Sequence, residues 1–326
     1  MKAARLTPRQ ADIIAFAGKN VLVSGGAGFI GSHLAEALTR SNASVTVVDN
    51  LSTGSLENFR EFAVRPRVIV GDVRRASTLQ KARKTEVVFH LAALALSQSF
   101  RDPVLNCEVN VGGTVNALEH ARKWDSSLVF ASSGSVYGLP KTIPIAESQE
   151  PVPASPYGVS KLAAEEYVAH YVRQYGIRAC SLRYFNVFGP RQKVGEEMGV
   201  VPIFVRNAML GATLRIFGDG KQTRDFLYVS DVVNGTMLAA LRMEEAKGMR
   251  LNIGGPGKEV SILQLASMVG SIVGRPINIQ HAEAKPGDIA RLVADSSLAR
   301  KLIGYKARVS LREGLREYVR WLDQHS

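Results

Sequence analysis

Three side chains able to move or share a proton recur at close spacings in this chain. Ser133 lies in Ser-Ser-Gly-Ser-Val-Tyr-Gly over 132–138, and Tyr157 and Lys161 end the run Tyr-Gly-Val-Ser-Lys over 157–161. A phenol titrates near pH 10 in water, so a tyrosine serves as a base at neutral pH only where positive charge stabilises its phenolate. Four residues along a helix make about one turn, which sets the Lys161 ammonium on the face of the Tyr157 phenol. The spacing therefore predicts an acid/base pair in which Lys161 lowers the tyrosine pKa, with the Ser133 hydroxyl as a neighbouring donor. A Tyr and a Lys one turn apart on an isolated surface helix would be ordinary; the elements around them give this pair its setting.

Residues 20–34, Asn-Val-Leu-Val-Ser-Gly-Gly-Ala-Gly-Phe-Ile-Gly-Ser-His-Leu, read as an apolar strand, a glycine turn and the start of an amphipathic helix. Gly25 permits the tight turn, Gly28 lets backbone approach a pyrophosphate, and Gly31 lets helix and strand pack closely, with the helix N-terminus facing the anion. A second strand over 44–49 ends in Asp49, placed to accept hydrogen bonds from an adenosine ribose. Asp49 argues for NAD: a 2'-phosphate would be repelled there, and residues 50–54 offer no arginine to receive one. Strand-like segments at 67–72, 86–93 and 127–133, separated by helical stretches, predict a doubly wound parallel sheet with ligands beyond the strands' carboxyl ends. Asp72 and Val73 are then expected near the adenine and Leu91, Ala92 and Ala93 near the linking phosphates, with Ser133 over the nicotinamide half. His90, ending a buried strand, reads as a satisfied core residue.

The chain has 326 residues, 46% of them hydrophobic, enough for a sizeable core in one large domain with a smaller lobe. The expected division is an N-terminal extension over 1–19, a Rossmann-type α/β domain over 20–185, and a substrate-binding lobe over 186–326 with some segments returning to the first domain. No apolar run reaches membrane-spanning length, and the first residues lack a signal-peptide core. Cys107 and Cys180 show no metal-ligand spacing and read as small buried hydrophobes in a reducing cytoplasm; no metal is expected. The formal charge of +12 raises the possibility of nucleic acid, but the cations are dispersed and no aromatic-basic motif accompanies them, so neither nucleic acid nor membrane is expected as a partner. A basic balance also suits a dianionic nucleotide. The amphipathic stretch 311–321 is expected to pack on its own domain.

Past Lys161, residues 177–192 run from a sixth strand into Arg-Tyr-Phe-Asn-Val-Phe-Gly-Pro-Arg-Gln, and 214–231 carry a glycine turn followed by Arg224, whose planar fork suits a diphosphate. The plainer reading of Arg224 is an ion pair with Asp225 or Asp231. Together with Gly-Gly-Ala-Gly-Phe-Ile-Gly, Ser-Ser-Gly-Ser-Val-Tyr-Gly and Tyr-Gly-Val-Ser-Lys, these segments resemble the extended short-chain dehydrogenase/reductase family, and within it the NAD-dependent nucleotide-sugar epimerases of the UDP-glucose 4-epimerase type. The resemblance runs from about residue 20 to 321. It implies Ser133, Tyr157 and Lys161 as catalytic residues, and NAD contacts at Phe29, Ile30, Asn50, Ser52, Thr53, Gly54, Asn110 and Tyr184 besides those already named. It also implies sugar-nucleotide contacts at Ser133, Ser135, Tyr157, Asn186, Val201, Arg224, Lys285 and Asp288, where Lys285 stands in place of a frequent arginine and Arg291 is an alternative. A bulky Leu292 suggests a plain hexose. Members of the family are often homodimers.

The reaction so implied is 4-epimerisation of a UDP-hexose, UDP-glucose/UDP-galactose first, through a 4-keto sugar. UDP-N-acetylhexosamines and UDP-glucuronate stay open as substrates. Dehydratases and decarboxylases of the family need a second acid, carried directly before Val-Tyr-Gly, where this chain has Gly134 and Ser135. Keto-sugar reductases remain a rival, against which Asp49 counts. A non-catalytic binder of NAD or RNA predicts loss of the proton-transfer residues, and all three are present.

Overall fold

Strands that are apolar on both faces must be covered on both sides, and this requirement organises the molecule. The computed structural model describes residues 15–82, 84–193, 199–284 and 289–325. Its strands are β1 Asn20–Ser24, β2 Ser44–Asp49, β3 Arg67–Val70, β4 Val87–His90, β5 Ser127–Ser133, β6 Ala179–Tyr184, β7 Val187–Phe188, β8 Leu214–Phe217, β9 Thr223–Asp225, β10 Leu227–Tyr228, β11 Arg250–Ile253, β12 Glu259–Ser261, β13 Ile279–Ala282 and β14 Arg291–Leu292. Seven of these form one parallel sheet in the order β11-β6-β5-β4-β1-β2-β3.

The longer helices are α1 Phe29–Arg40, α2 Gly113–Trp124, α3 Pro156–Tyr175, α4 Val200–Met209, α5 Val229–Leu241, α6 Ile262–Val273 and α7 Leu311–His325. Because successive strand residues face opposite sides, Val21 and Val23 enter one buried cluster with Leu34 and Leu38 of α1 and Val232 and Met237 of α5. Leu22 points the other way, into a cluster with Leu118 of α2 and Val168 of α3. Each such fully buried Val, Leu or Phe contributes about 1.5–3 kcal/mol relative to exposure. The helix that carries the Tyr/Lys pair has clear limits. The Ser155 hydroxyl accepts from the Gly158 N–H, Pro156 opens the first turn, and Gly176 at φ +68° stops the last.

Three small sheets lie outside the main one: β10 with β7, β9 between β12 and β14, and β13 with β8. They share a third apolar cluster that includes Phe204 of α4, Leu265 of α6, and Leu315 and Tyr318 of α7, so the amphipathic 311–321 stretch does pack on its own chain. The chain also returns from this region, since β11 pairs with β6 as the edge of the main sheet.

Within the expected N-terminal extension over 1–19, whose first fourteen residues lie outside the described ones, Phe16 is 0% exposed, belongs to the first cluster and packs 6.2 Å from the Phe89 ring. One expectation needs correction. Cys180 is buried but Cys107 is exposed, at the end of a short surface helix. No helix among the described residues is long and apolar enough to cross a membrane.

Candidate active site

Parallel pairing brings the carboxyl ends of β2, β1, β4 and β5 side by side, and with them the loops that the sequence singles out. The turn after β1 touches the one after β4: a Cβ on Gly25, which sits at φ +70°, would stand 2.6 Å from the Ala92 nitrogen, and the Leu91 N–H donates to Ser24 O at 3.0 Å. A Cβ on Gly31 would meet Gly25 O at 2.1 Å, so only glycine lets α1 start this close to β1. Gly28 is the N-cap of α1 and no side chain caps that end, which leaves the first turn, at Phe29, Ile30 and Gly31, without a side-chain acceptor, an arrangement suited to an anion.

Asp49 is placed as a brace for this loop. Its Oδ2 accepts from Ala27 N at 2.9 Å and its Oδ1 from Leu51 N at 2.8 Å, each oxygen keeping a further lone pair for a ribose. Asn50 Oδ1 folds the following turn by accepting from Ser52 N and Ser52 Oγ, Thr53 is half-buried, and a Cβ on Gly54 would lie 2.8 Å from Asp49 Oδ1. Asp72 accepts from Arg74 Nε at 3.0 Å and Nη2 at 2.9 Å; those bonds, foremost, hold its pKa below the usual carboxylate range. Val73 is buried against Gly113, so its side chain is core.

The candidate catalytic trio comes together over the end of β5. Ser133 closes the strand, its hydroxyl accepts from Ser135 N at 3.1 Å, and Gly134–Tyr137 form one 3-10 turn. Tyr157 sits in the first turn of α3 within hydrogen-bonding reach of Ser133. Burial raises the Tyr157 pKa and the Ser133 hydrogen bond opposes that rise. Lys161 is 1% exposed, and burial brings its ammonium down to about 7. The two share a helix face as expected. Lys161 Nζ donates to Ala131 O at 2.8 Å, over the Phe130 ring and 5.7 Å from the centre of the Tyr157 ring. Desolvation thus favours the neutral form of both groups, which sets their proton affinities closer together than in water.

Several residues expected to contact ligands also have partners within the protein. Asn110 is fully buried in a π-helical turn, Glu108–Gly112, where its Oδ1 accepts from Leu94 N at 2.7 Å and its Nδ2 donates to Ser160 Oγ at 2.9 Å, bracing the loop after β4 against α3. Tyr184 hydrogen-bonds Thr236 at 2.7 Å beneath the sheet, because the pleat turns it toward α5. Val201 lies in the apolar core of the smaller sheets, on the buried stripe of α4. His90, as expected, is a satisfied core residue: Nδ1 meets Ser24 Oγ at 2.6 Å and Nε2 meets Thr114 Oγ1 at 3.1 Å.

On the sugar side Asn186 holds φ +37°, a left-handed conformation that asparagine tolerates, and its Nδ2 donates to Asp225 O at 3.3 Å. The Arg224 guanidinium donates to Thr223 O at 2.8 Å and Ile289 O at 2.6 Å, joining β9 to the segment before β14. Arg291 instead pairs with Glu259, and that pair, foremost, lowers the Glu259 pKa to about 2. Lys285 and Asp288 lie outside the described residues. A cluster centred on Arg183, Glu165, Tyr137 and Asn252 has no counterpart in the sequence expectations, though Glu165 follows Lys161 at the same one-turn spacing. Among the described residues no group of three or more His, Cys, Asp or Glu is placed to hold a metal ion.

Residues 21–254 match the model of the NAD dependent epimerase/dehydratase family. The chain belongs to that family. It is 39% identical over 311 residues to a putative UDP-glucose 4-epimerase of Methanocaldococcus jannaschii, covering 94% of this chain and 99% of the other. It is also 33% identical to a UDP-N-acetyl-alpha-D-glucosaminuronate decarboxylase of Bacillus cytotoxicus, over 93% of this chain and 97% of that one. Among solved structures, UDP-glucose 4-epimerase of Thermotoga maritima with UDP-glucose superposes with a TM-score of 0.88 at 35% identity, covering 94% and 99% of the two chains. UDP-N-acetylglucosamine 4-epimerase of Methanobrevibacter ruminantium gives 0.89 at 33% identity, over 95% and 100%. The Thermus thermophilus UDP-glucose 4-epimerase complex with NAD gives 0.85 at 35%, over 94% and 100%. The family is NAD-dependent, and the glycine cradle and the uncapped start of α1 fit that dinucleotide.

Proposed function

We propose that this member epimerises a UDP-sugar at C4, with UDP-glucose and UDP-galactose as the first pair, as in galactose metabolism. The observation that carries the reading is that the turn after Ser133, which packs against the first turn of α3 where Tyr157 stands, holds no second acid. Position 134 is glycine, and a Cβ there would meet the Phe185 ring at 3.0 Å; position 135 is serine. Elimination of water or loss of carbon dioxide draws on an additional acid/base that this turn lacks, whereas moving one proton on and off a single oxygen needs only the phenol.

Residues 25–31, the Asp49 brace and the loop after β4 would hold NAD, which when bound supplies the hydride acceptor and a positively charged ring. Tyr157 takes the proton from the sugar's C4 hydroxyl and later returns it. Ser133 donates a hydrogen bond to the same oxygen as it becomes a ketone. Lys161, anchored on Ala131 O, stands at the foot of the pair, and when protonated its charge stabilises the Tyr157 phenolate. Asn186 and Arg224 belong to the diphosphate side, with Leu292 bounding the sugar. A homodimer in the cytoplasm completes the reading, supported by the family resemblance and the two unpaired cysteines.

The test is incubation of the purified protein, without added NAD, with UDP-galactose, UDP-N-acetylglucosamine and UDP-glucuronate separately, following the C4 proton by NMR. One C4 epimer is expected, from UDP-galactose first. No epimer from any of the three, with NAD shown to be bound, would sink the proposal in favour of a reductase.

A further inference from the structure

Glu165 stands one turn beyond Lys161 on α3, as Lys161 stands one turn beyond Tyr157. It is 0% exposed, and besides an ion pair with Arg250 Nε of β11 at 3.2 Å its links lead to elements of the site. Its Oε1 accepts from Ser132 Oγ at 2.5 Å and from Arg183 Nε at 2.9 Å, and its Oε2 accepts from Arg183 Nη2 at 2.6 Å. Arg183, also buried, donates from Nη1 to the Tyr137 hydroxyl at 2.7 Å, which in turn donates to Asn252 Oδ1 at 2.9 Å. Asn252 Nδ2 then reaches Ile145 O at 2.8 Å, and Ile145 bridges Ala294, two residues past Leu292.

We propose that Glu165 is a positioning residue for proton transfer in this site: it pins Ser132, and so Ser133, against the face of α3 that carries Tyr157 and Lys161, and through Arg183 and Tyr137 it ties that pair to the 292–295 segment. The proposal rests on the proton-transfer reading given above. Stability alone is a poor reason for the arrangement, because apolar residues of similar volume commonly serve as well as a buried ion pair. What the pair supplies is direction. A bidentate guanidinium–carboxylate contact fixes two planes at once, and here those planes belong to β6 and α3. The carboxylate also acts on Lys161 through charge, opposing the effect of burial there. The titratable groups facing Lys161 are Tyr157 and Glu165 on its own helix and His90 of β4, which burial, then Lys161, push down to about 3.

The experiment uses the full chain labelled with [ε-13C]lysine, with the Lys161 signal assigned by its loss in Lys161→Met. In Glu165→Gln the Lys161 titration midpoint is expected to fall by about one pH unit. With the C4-epimerised sugar as substrate, kcat is expected to fall about a hundredfold, the scale of a small misplacement of reacting groups, at little change in KM. A folded Glu165→Gln protein with an unchanged midpoint and unchanged kcat overturns the proposal. Should that variant fail to fold, Tyr137→Phe decides: it leaves the ion pair intact, and the lost tie to Asn252 is expected to raise KM about threefold. Wild-type KM and kcat in Tyr137→Phe would then overturn it. If the wild-type protein epimerises no UDP-sugar, the proposed function fails, while the Lys161 midpoint still reads the role of Glu165.

Discussion

The two ends of the cleft are built from different materials. The nucleotide end is backbone: Gly25, Gly31 and Gly54 leave no room for a Cβ, and the one buried carboxylate, Asp49, grips main-chain N–H groups. The sugar end is side chain on side chain, with Arg183, Glu165, Tyr137 and Asn252 joined in series and Arg224 stretched between two carbonyl oxygens. Backbone shape tolerates almost no substitution and carries little chemical choice. Side-chain networks fix geometry too, but they can be rewired one residue at a time, which accords with a family in which one cofactor serves epimerases and decarboxylases alike.

If this contrast is right, the ends should fail in different ways. The largest effect is expected at the chemistry itself. Tyr157→Phe should lower kcat about a thousandfold while NAD, measured by its release on denaturation, stays bound; a smaller loss than tenfold would take Tyr157 out of the proton path. Next comes Gly31→Ala, whose Cβ would stand 2.1 Å from Gly25 O. It should abolish retention of NAD even where circular dichroism shows a folded sheet, and a variant that keeps its NAD would break the claim that the nucleotide end depends on backbone shape. Arg224→Met should raise KM for the UDP-sugar about tenfold, with kcat and NAD content nearly unchanged. A Michaelis constant that does not move would assign Arg224 to holding β9 in place and nothing more.

The smallest effect concerns the sheet shared by both ends. Burial, first, brings His90 down to about 3 and His120 to about 4, so both are neutral in the fold. Unfolded histidines titrate near 6.5, so between pH 6.5 and 4 the unfolded chain binds more protons than the folded one. Their contribution to stability is fully present above pH 6.5 and drains away as pH falls toward 4. The melting temperature should drop by several degrees over that window, and His120→Gln should flatten the fall. A melting temperature independent of pH there would contradict the buried, neutral assignment.

Much of the nucleotide end was legible because sterics act locally: a glycine at positive φ or against a carbonyl leaves its mark in the very residue that is required. The parallel sheet was legible for a similar reason, since Val21, Leu22 and Val23 must all be apolar to be covered on both faces. Ser133, Tyr157 and Lys161 were found by spacing, and spacing gave the shared helix face correctly. It could not give the destination of the Lys161 ammonium, because Ala131 O lies on another element. The protein partners of Asn110, Tyr184 and Val201 were hidden for the same reason: which neighbour a side chain meets is settled by tertiary packing. Glu165 sat in view one turn past Lys161, but its partner Arg183 is on β6, and nothing local announces such a pair.

The return of the chain to the main sheet bears on how this molecule comes into being. β11 adds beside β6 only after the whole of β7 to β10 has been made, and it brings Asn252, the far anchor of the buried network. At a synthesis rate of about 5–20 residues per second, the first six strands wait several seconds on the ribosome before the edge that completes them emerges. Until then Tyr137 lacks its Asn252 acceptor, and the exposed flank of β6 is a strand edge open to the wrong neighbour. A fragment ending before residue 250 should therefore bind its dinucleotide loop into shape yet aggregate through β6, and chimeras between relatives must exchange β11 together with the region that follows β6.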